Sequence, residues 1–150
     1  MIAVIQKVNH CQVTVEKKSI AEIDKGLLLF LGVAQEDNEK DAEYLAEKSV
    51  HLRIFADDEG KMNRSLIDIQ GEMMVVSQFT LLGDCRKGRR PSFIRAADPD
   101  KALRLYDYFI HQVRKKSIPV QCGQFRALME VSLINAGPVT LIIDSQTTGN

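Results

Sequence analysis

The first 33 residues, MIAVIQKVNHCQVTVEKKSIAEIDKGLLLFLGV, constrain the fold more than any other part of the chain. They hold short alternating runs (Val4, Gln6, Val8; Gln12, Val13, Thr14, Val15) and then an unbroken apolar block over residues 27–33. Three or four antiparallel strands fit that pattern best. Asn38 then stands where it can cap a helix whose positions Ala42, Leu45, Ala46, Ser49 and Leu52 recur at helical spacing. A second helix carries every start and stop signal. Asp98 is its N-cap, Pro99 its first residue, Leu103, Tyr106, Ile110 and Val113 its apolar stripe, and Arg114-Lys115-Lys116 its basic last turn. Between the helices lie a tight turn around residues 57–60 and a strand over residues 73–80. Two further apolar runs, 127–134 and 139–144, are split by Asn135-Ala136-Gly137-Pro138, which reads as a hairpin or a strand junction. Runs of strands with two separate helices, and no regular strand-helix alternation, predict an α+β domain: a mostly antiparallel sheet curled into a barrel-like core with two main helices.

A chain of 150 residues suits one domain, expected over residues 1–150. Hydrophobic residues at 45% and charged residues at 27% fit a soluble globular protein. No apolar run is long enough to span a bilayer and the first residues lack a signal-peptide pattern, so the expected location is the cytoplasm, away from membranes. The 20 basic and 20 acidic residues cancel, so any contact with nucleic acid must be local. Cys11, Cys85 and Cys122 are scattered, and His10, His51 and His111 form no ligand spacing; neither a disulfide framework nor a metal site is expected.

Two stretches can carry chemistry. In Ser77-Gln78-Phe79-Thr80, strand geometry puts Ser77 and Phe79 on one face and Gln78 and Thr80 on the other. An isolated Ser-x-x-Thr is most simply a strand end turning wet. The sharper reading is that main-chain N–H groups there face a developing oxyanion with a hydroxyl close by. No histidine or lysine is adjacent in sequence, which disfavours a covalent mechanism. Arg86, Lys87, Arg89 and Arg90 follow, with Arg95 beyond, and concentrate guanidinium forks suited to phosphates in an otherwise balanced chain. In the second stretch, INAGPVTLI, Gly137-Pro138 reads first as a turn with a trans bond, since only about 5% of such bonds are cis. A cis bond would let two carbonyl oxygens point the same way, as an acceptor for an ammonium group.

Taken together, Ser77-Gln78-Phe79-Thr80-Leu81 and Asn135-Ala136-Gly137-Pro138-Val139-Thr140 resemble the two signature motifs of the D-aminoacyl-tRNA deacylases, homodimeric chirality proofreaders of translation. The segments AVIQKV, LRIF, KGRRPSF and GQFRALMEVSLIN extend the resemblance over nearly the whole chain. It implies hydrolysis of the ester joining a D-amino acid to the terminal adenosine of tRNA, without metal or cofactor, in the fold of those deacylases. Glycyl-tRNA, mischarged on tRNA(Ala), would be cleaved too, because glycine has no side chain to reject. The resemblance also implies that Gly137 and Pro138 form a cis unit reaching into a partner subunit's site, where their carbonyls hold the α-ammonium group. Main-chain N–H groups around Gln78 and Phe79 would stabilise the ester oxygen, and the 2′-hydroxyl of the adenosine would take part. Thr80 becomes a positioning hydroxyl, while Phe125 and Met129 pack near the adenosine; periodicity alone reads those two as core. Lys7 stands where the family commonly has an arginine supporting the Gly-Pro loop. Arg126, Leu128 and Ala136 also depart from the common pattern. The alternatives are a tRNA-binding module that does not hydrolyse and a Thr80-dependent hydrolase of small esters or amides.

Overall fold

Strand β1 (Ile2–Val15) organises the computed structural model, which describes residues 1–147. Residues 148–150 of the domain expected over 1–150 lie outside the described residues. A two-residue turn at Glu16 and Lys17, both in the left-handed region (φ 49° and 63°), returns the chain as β2 (Lys18–Ile23). Strand β3 (Gly26–Gly32) continues along the same edge of β1, from Val8↔Gly26 to Ile2↔Gly32. The opening stretch therefore forms three antiparallel strands, as its alternation predicts.

Helix α1 (Glu39–His51) follows, capped by Asn38 in a reciprocal pair with Asp41. A small hairpin, β4 (Phe55–Ala56) and β5 (Met62–Arg64), leads to β6 (Glu72–Ser77), which lies parallel to β3. Helix α2 (Pro99–Arg114) begins at Asp98, whose carboxylate accepts the N–H groups of Asp100 and Lys101, and leads to β7 (Val120–Cys122), parallel to β6. Each helix thus bridges two parallel strands, because parallel neighbours need a crossover rather than a tight turn. The sheet is mixed, in the order β2-β1-β3-β6-β7, and nearly closes into a barrel, so the expected α+β class with two helices holds.

Strand β6 is covered on both faces, which is why its sequence does not alternate. Leu29 and Val75 share one core with Ile5 and Phe109 beneath the helices; Leu28 and Met74 join Val8 and Cys11 in a second core on the other face. Met73, Met74, Val75 and Val76 are all buried, each contributing about 1.5–3 kcal/mol. The α2 core face is Leu105, Tyr106, Phe109, Ile110 and Val113; Leu103, expected in that stripe, lies just beyond the buried arc and is 39% exposed. Glu39, Glu43 and Glu47, one turn apart on α1, meet Arg104 and Tyr108 of α2 and Lys116 just beyond its end.

The last strand corrects the hairpin alternative at Gly137-Pro138. Strand β8 (Glu130–Asp144) is continuous, and both its halves pair with β1. Gln6 pairs with Thr140 and Val8 with Asn135, so Lys7 alone faces residues 136–139, which bow out of the sheet. The Asn135 amide ties off the bow by donating to the carbonyls of Lys7 (3.3 Å) and Val139 (3.1 Å).

Candidate active site

At the end of β6 the strand stops sooner than its sequence predicts. Ser77 is its last residue; Gln78 leaves the extended region (φ −142°, ψ 81°), and Phe79–Leu82 form a 3-10 turn, so the alternation expected through Thr80 is broken. The main-chain N–H of Gln78 donates to the Leu31 carbonyl at 2.9 Å. It extends the pairing with β3 and is not free for a ligand, which corrects the expectation that it faces an oxyanion. The next two N–H groups, of Phe79 and Thr80, open the turn, where a helix has no acceptor of its own to offer them. The Gln78 side-chain amide donates to the Thr80 hydroxyl oxygen. Among the described residues, neither Ser77 nor Thr80 has a hydroxyl bonded to a histidine, lysine or carboxylate, so neither resembles an activated nucleophile.

Ser77, Gln78 and Phe79 form one side of a cavity of about 580 Å³. Phe125 and Met129 also line it, held there by packing. Gly123 donates to the Val75 carbonyl at 2.9 Å, which docks the end of β7 onto β6. A Cβ on Gly123 would come within 2.7 Å of the Met129 sulfur, so the glycine makes room for the thioether. The Phe125 ring lies 6.0 Å from that of Tyr106, whose hydroxyl donates to the Val75 carbonyl at 2.8 Å. Burial raises the pKa of Tyr106 and also that of Cys122 beside it, so both stay protonated near neutral pH.

The remaining wall was not legible in the sequence. Ala96, Ala97, Pro99 and Ala102 line it because residues 93–97 lie along the end of β3: the Ala97 N–H donates to the Val33 carbonyl at 2.9 Å and the Gln35 N–H to the Arg95 carbonyl at 3.0 Å. Three small alanines before and inside a helix carry no periodic signal. The cavity lining contains no histidine, lysine or carboxylate among the described residues; its one charged member is Arg126.

The arginine segment is a clasped loop beside this cavity. Asp84 and Ser92 exchange main-chain hydrogen bonds of 2.8 and 3.0 Å at its base. The Asp84 carboxylate accepts from Arg86 Nε (2.9 Å) and from the guanidinium tip (2.6 Å), and Arg86 holds that carboxyl far below the usual range. Lys87, Arg89 and Arg90 are exposed and in no ion pair among the described residues. Phe93 packs edge-on against Phe79 at 5.1 Å, and a Cβ on Gly83 would meet the Phe93 ring at 2.9 Å, so this glycine permits the contact.

Gly137 and Pro138 lie elsewhere, on the exposed bow of β8, and do not line the cavity of their own chain. Their peptide bond is cis, which corrects the trans default. Gly137 has φ 116°, a value that side chains with a Cβ rarely adopt. Lys7 sits beneath: its ammonium donates to the Ile54 carbonyl (3.4 Å), lies 5.7 Å from the centre of the Phe55 ring, and is 3.9 Å from where a Gly137 Cβ would be.

The family described as D-Tyr-tRNA(Tyr) deacylase matches residues 4–144. The chain is 58% identical over 146 residues to the D-aminoacyl-tRNA deacylase of Desulfatibacillum aliphaticivorans, covering 97% of this chain and 100% of that one. It is 54% identical over 146 residues to that of Thermosipho africanus, covering 97% and 98%. Among solved structures, the c-Myc DNA Unwinding Element Binding Protein superposes with a TM-score of 0.90 at 37% identity, covering 96% of this chain and 98% of that one. A probable eukaryotic D-amino acid tRNA deacylase shares the fold, with a TM-score of 0.81 at 18% identity over 95% and 97% of the two chains.

Proposed function

Because the chain belongs to the D-Tyr-tRNA(Tyr) deacylase family, we propose that it hydrolyses the ester bond of D-aminoacyl-tRNA, releasing the D-amino acid and reusable tRNA. The observation that carries this reading is the cavity itself: mostly apolar, within the usual ligand-pocket range of about 300–1,000 Å³, and edged by Ser77, Gln78 and Phe79. The terminal adenosine lies between Phe125, Met129 and the alanine wall. Its ester reaches the 3-10 turn.

Among the described residues that line it there is no side-chain base, so the chemistry rests on positioning. The N–H groups of Phe79 and Thr80 meet the ester oxygen as it gains charge, and the substrate's own 2′-hydroxyl and an oriented water supply the rest. An ester beside an α-ammonium group is already activated. Gln78 orients the Thr80 hydroxyl, and Ser77 ends the strand that aims the turn.

Chirality is read by a second copy of the chain. Ile134 and Ile142, 58% and 74% exposed on β8, flank the bow and favour its burial in a homodimer. The partner subunit's Gly137 and Pro138 then turn their carbonyls to the α-ammonium group, and an L side chain collides with that main chain. Glycine on tRNA(Ala) passes the filter. Lys7 supports the bow, and Lys87, Arg89 and Arg90 meet tRNA phosphates. The domain spans residues 1–150, needs no metal or cofactor, and works in the cytoplasm, where charged tRNA is found.

A second reading, nucleic-acid binding without turnover, draws on the likeness to the c-Myc DNA Unwinding Element Binding Protein. Hydrolysis rates for matched D-Tyr-tRNA, L-Tyr-tRNA and glycyl-tRNA separate the two. The deacylase reading expects the D and glycyl esters to be cleaved and the L ester spared. Binding with no cleavage of any of them leaves only the second.

A further inference from the structure

We propose that Arg126 grips the phosphate on the 5′ side of the terminal adenosine, making it the first phosphate contact as the tRNA strand leaves the cavity. The inference rests on the adenosine placement proposed above. Arg126 is the only charged residue lining the cavity, it is exposed, and no hydrogen bond or ion pair engages it among the described residues. Its backbone is in the left-handed region, φ 63°, at a turn closed by the Ala127 N–H donating to the Gln124 carbonyl at 3.2 Å. That conformation disfavours residues with a Cβ, yet here it carries the longest cationic side chain.

Ribose stereochemistry points to the same place. The base on C1′ and the C5′ arm leave one face of the sugar, while the 3′ oxygen leaves the other. With the ester at Phe79 and the base against Phe125 and Met129, the 5′-phosphate must follow the base. It then emerges beside the Phe125-Arg126-Ala127 turn. A guanidinium fork there matches two phosphate oxygens. Beyond it, a groove of about 520 Å³ shares Ala127, Leu128 and Met129 with the cavity and continues past Thr14, Glu16, Lys17, Gln124 and Glu130, where two carboxylates outnumber one ammonium, so the phosphate contact is confined to Arg126.

The test compares wild type, Arg126→Gln and Arg126→Lys for D-Tyr-tRNA hydrolysis across a salt series, with adenosine and adenosine 5′-monophosphate as competing ligands. Arg126→Gln should raise KM roughly tenfold with little change in kcat, since a charge-assisted contact of this kind is worth about that much. Its slope of log KM against log salt should fall by about 0.7, the share of one single-strand phosphate. Adenosine 5′-monophosphate should compete more strongly than adenosine in wild type, equally in Arg126→Gln, and at an intermediate level in Arg126→Lys. An unchanged KM and slope, or a monophosphate preference that survives Arg126→Gln, overturns the assignment and leaves the deacylase reading standing. No hydrolysis of D-Tyr-tRNA by wild type overturns both.

Discussion

The Asp84 carboxylate holds the Arg86 guanidinium at two points, so one of the four basic residues of the loop is already neutralised before any ligand arrives. Asp84 also closes the loop through Ser92, which leaves Lys87, Arg89 and Arg90 at its tip. Arg89→Gln and Arg90→Gln should each lower the salt slope of tRNA binding by about 0.7–0.9. Arg86→Gln should lower it less and instead loosen the loop, read as faster proteolysis there. Equal slopes for Arg86→Gln and Arg89→Gln would show that the pair opens to bind phosphate.

The free donors at the 3-10 turn belong to the main chain, which separates two substitutions of one residue. Phe79→Ala removes a ring and keeps the N–H; Phe79→Pro removes both. Gln78, at φ −142° and ψ 81°, lies outside the helical region that a following proline disfavours, and proline is accepted at the first position of a turn. Phe79→Pro should lower kcat by about 10²–10³ relative to Phe79→Ala. Thr80→Ala should retain much of the activity, within about tenfold, because the hydroxyl only orients. Complete loss in Thr80→Ala at unchanged melting temperature would restore the nucleophile reading.

Near the chain start, the Met1 ammonium is 2.6 Å from the Asp37 carboxylate and 2.6 Å from the Ser145 hydroxyl. Asp37 is 1% exposed and its second oxygen accepts the Ala34 N–H at 2.6 Å. Removing one partner of a buried pair strands the other, so Asp37→Ala should cost about 3–5 kcal/mol in urea unfolding. The exposed Glu39–Arg104 and Glu47–Lys116 pairs should matter far less and fade with salt. A loss below about 1 kcal/mol for Asp37→Ala would mean that the ammonium finds water instead.

Alkaline pH should act through the cores. Burial pushes the Cys11 thiol up to about 11 from an ordinary value of 9.0, and the thiol of Cys122 and the phenol of Tyr106 rise for the same reason. The folded state therefore keeps protons that the unfolded chain releases. Stability from Cys11 is complete below about pH 9 and drains away as pH climbs through about 11. Melting temperature should fall over that window, and Cys11→Val should flatten part of the fall. Alkylation of native protein should mark exposed Cys85 well before Cys11.

Local signals in the sequence determined the parts that neighbours along the chain can specify. Asn38 and Asp98-Pro99 start their helices because a cap needs only the next few N–H groups, and the two signature motifs identify the family. Partners brought from far along the chain were decided by tertiary structure alone. Leu31 takes the Gln78 N–H, which removes that group from the cavity's donors. One long β1 pairs with both halves of β8, so Gly137-Pro138 bows out of a strand and is not a hairpin. Residues 93–97 supply an alanine wall only because they lie on the end of β3, which leaves Arg126 the one charged side chain at the cavity among the described residues. Hydrogen-bond registry and burial depend on which strands meet, and strand meeting is a property of the closed sheet, absent from any short window of residues.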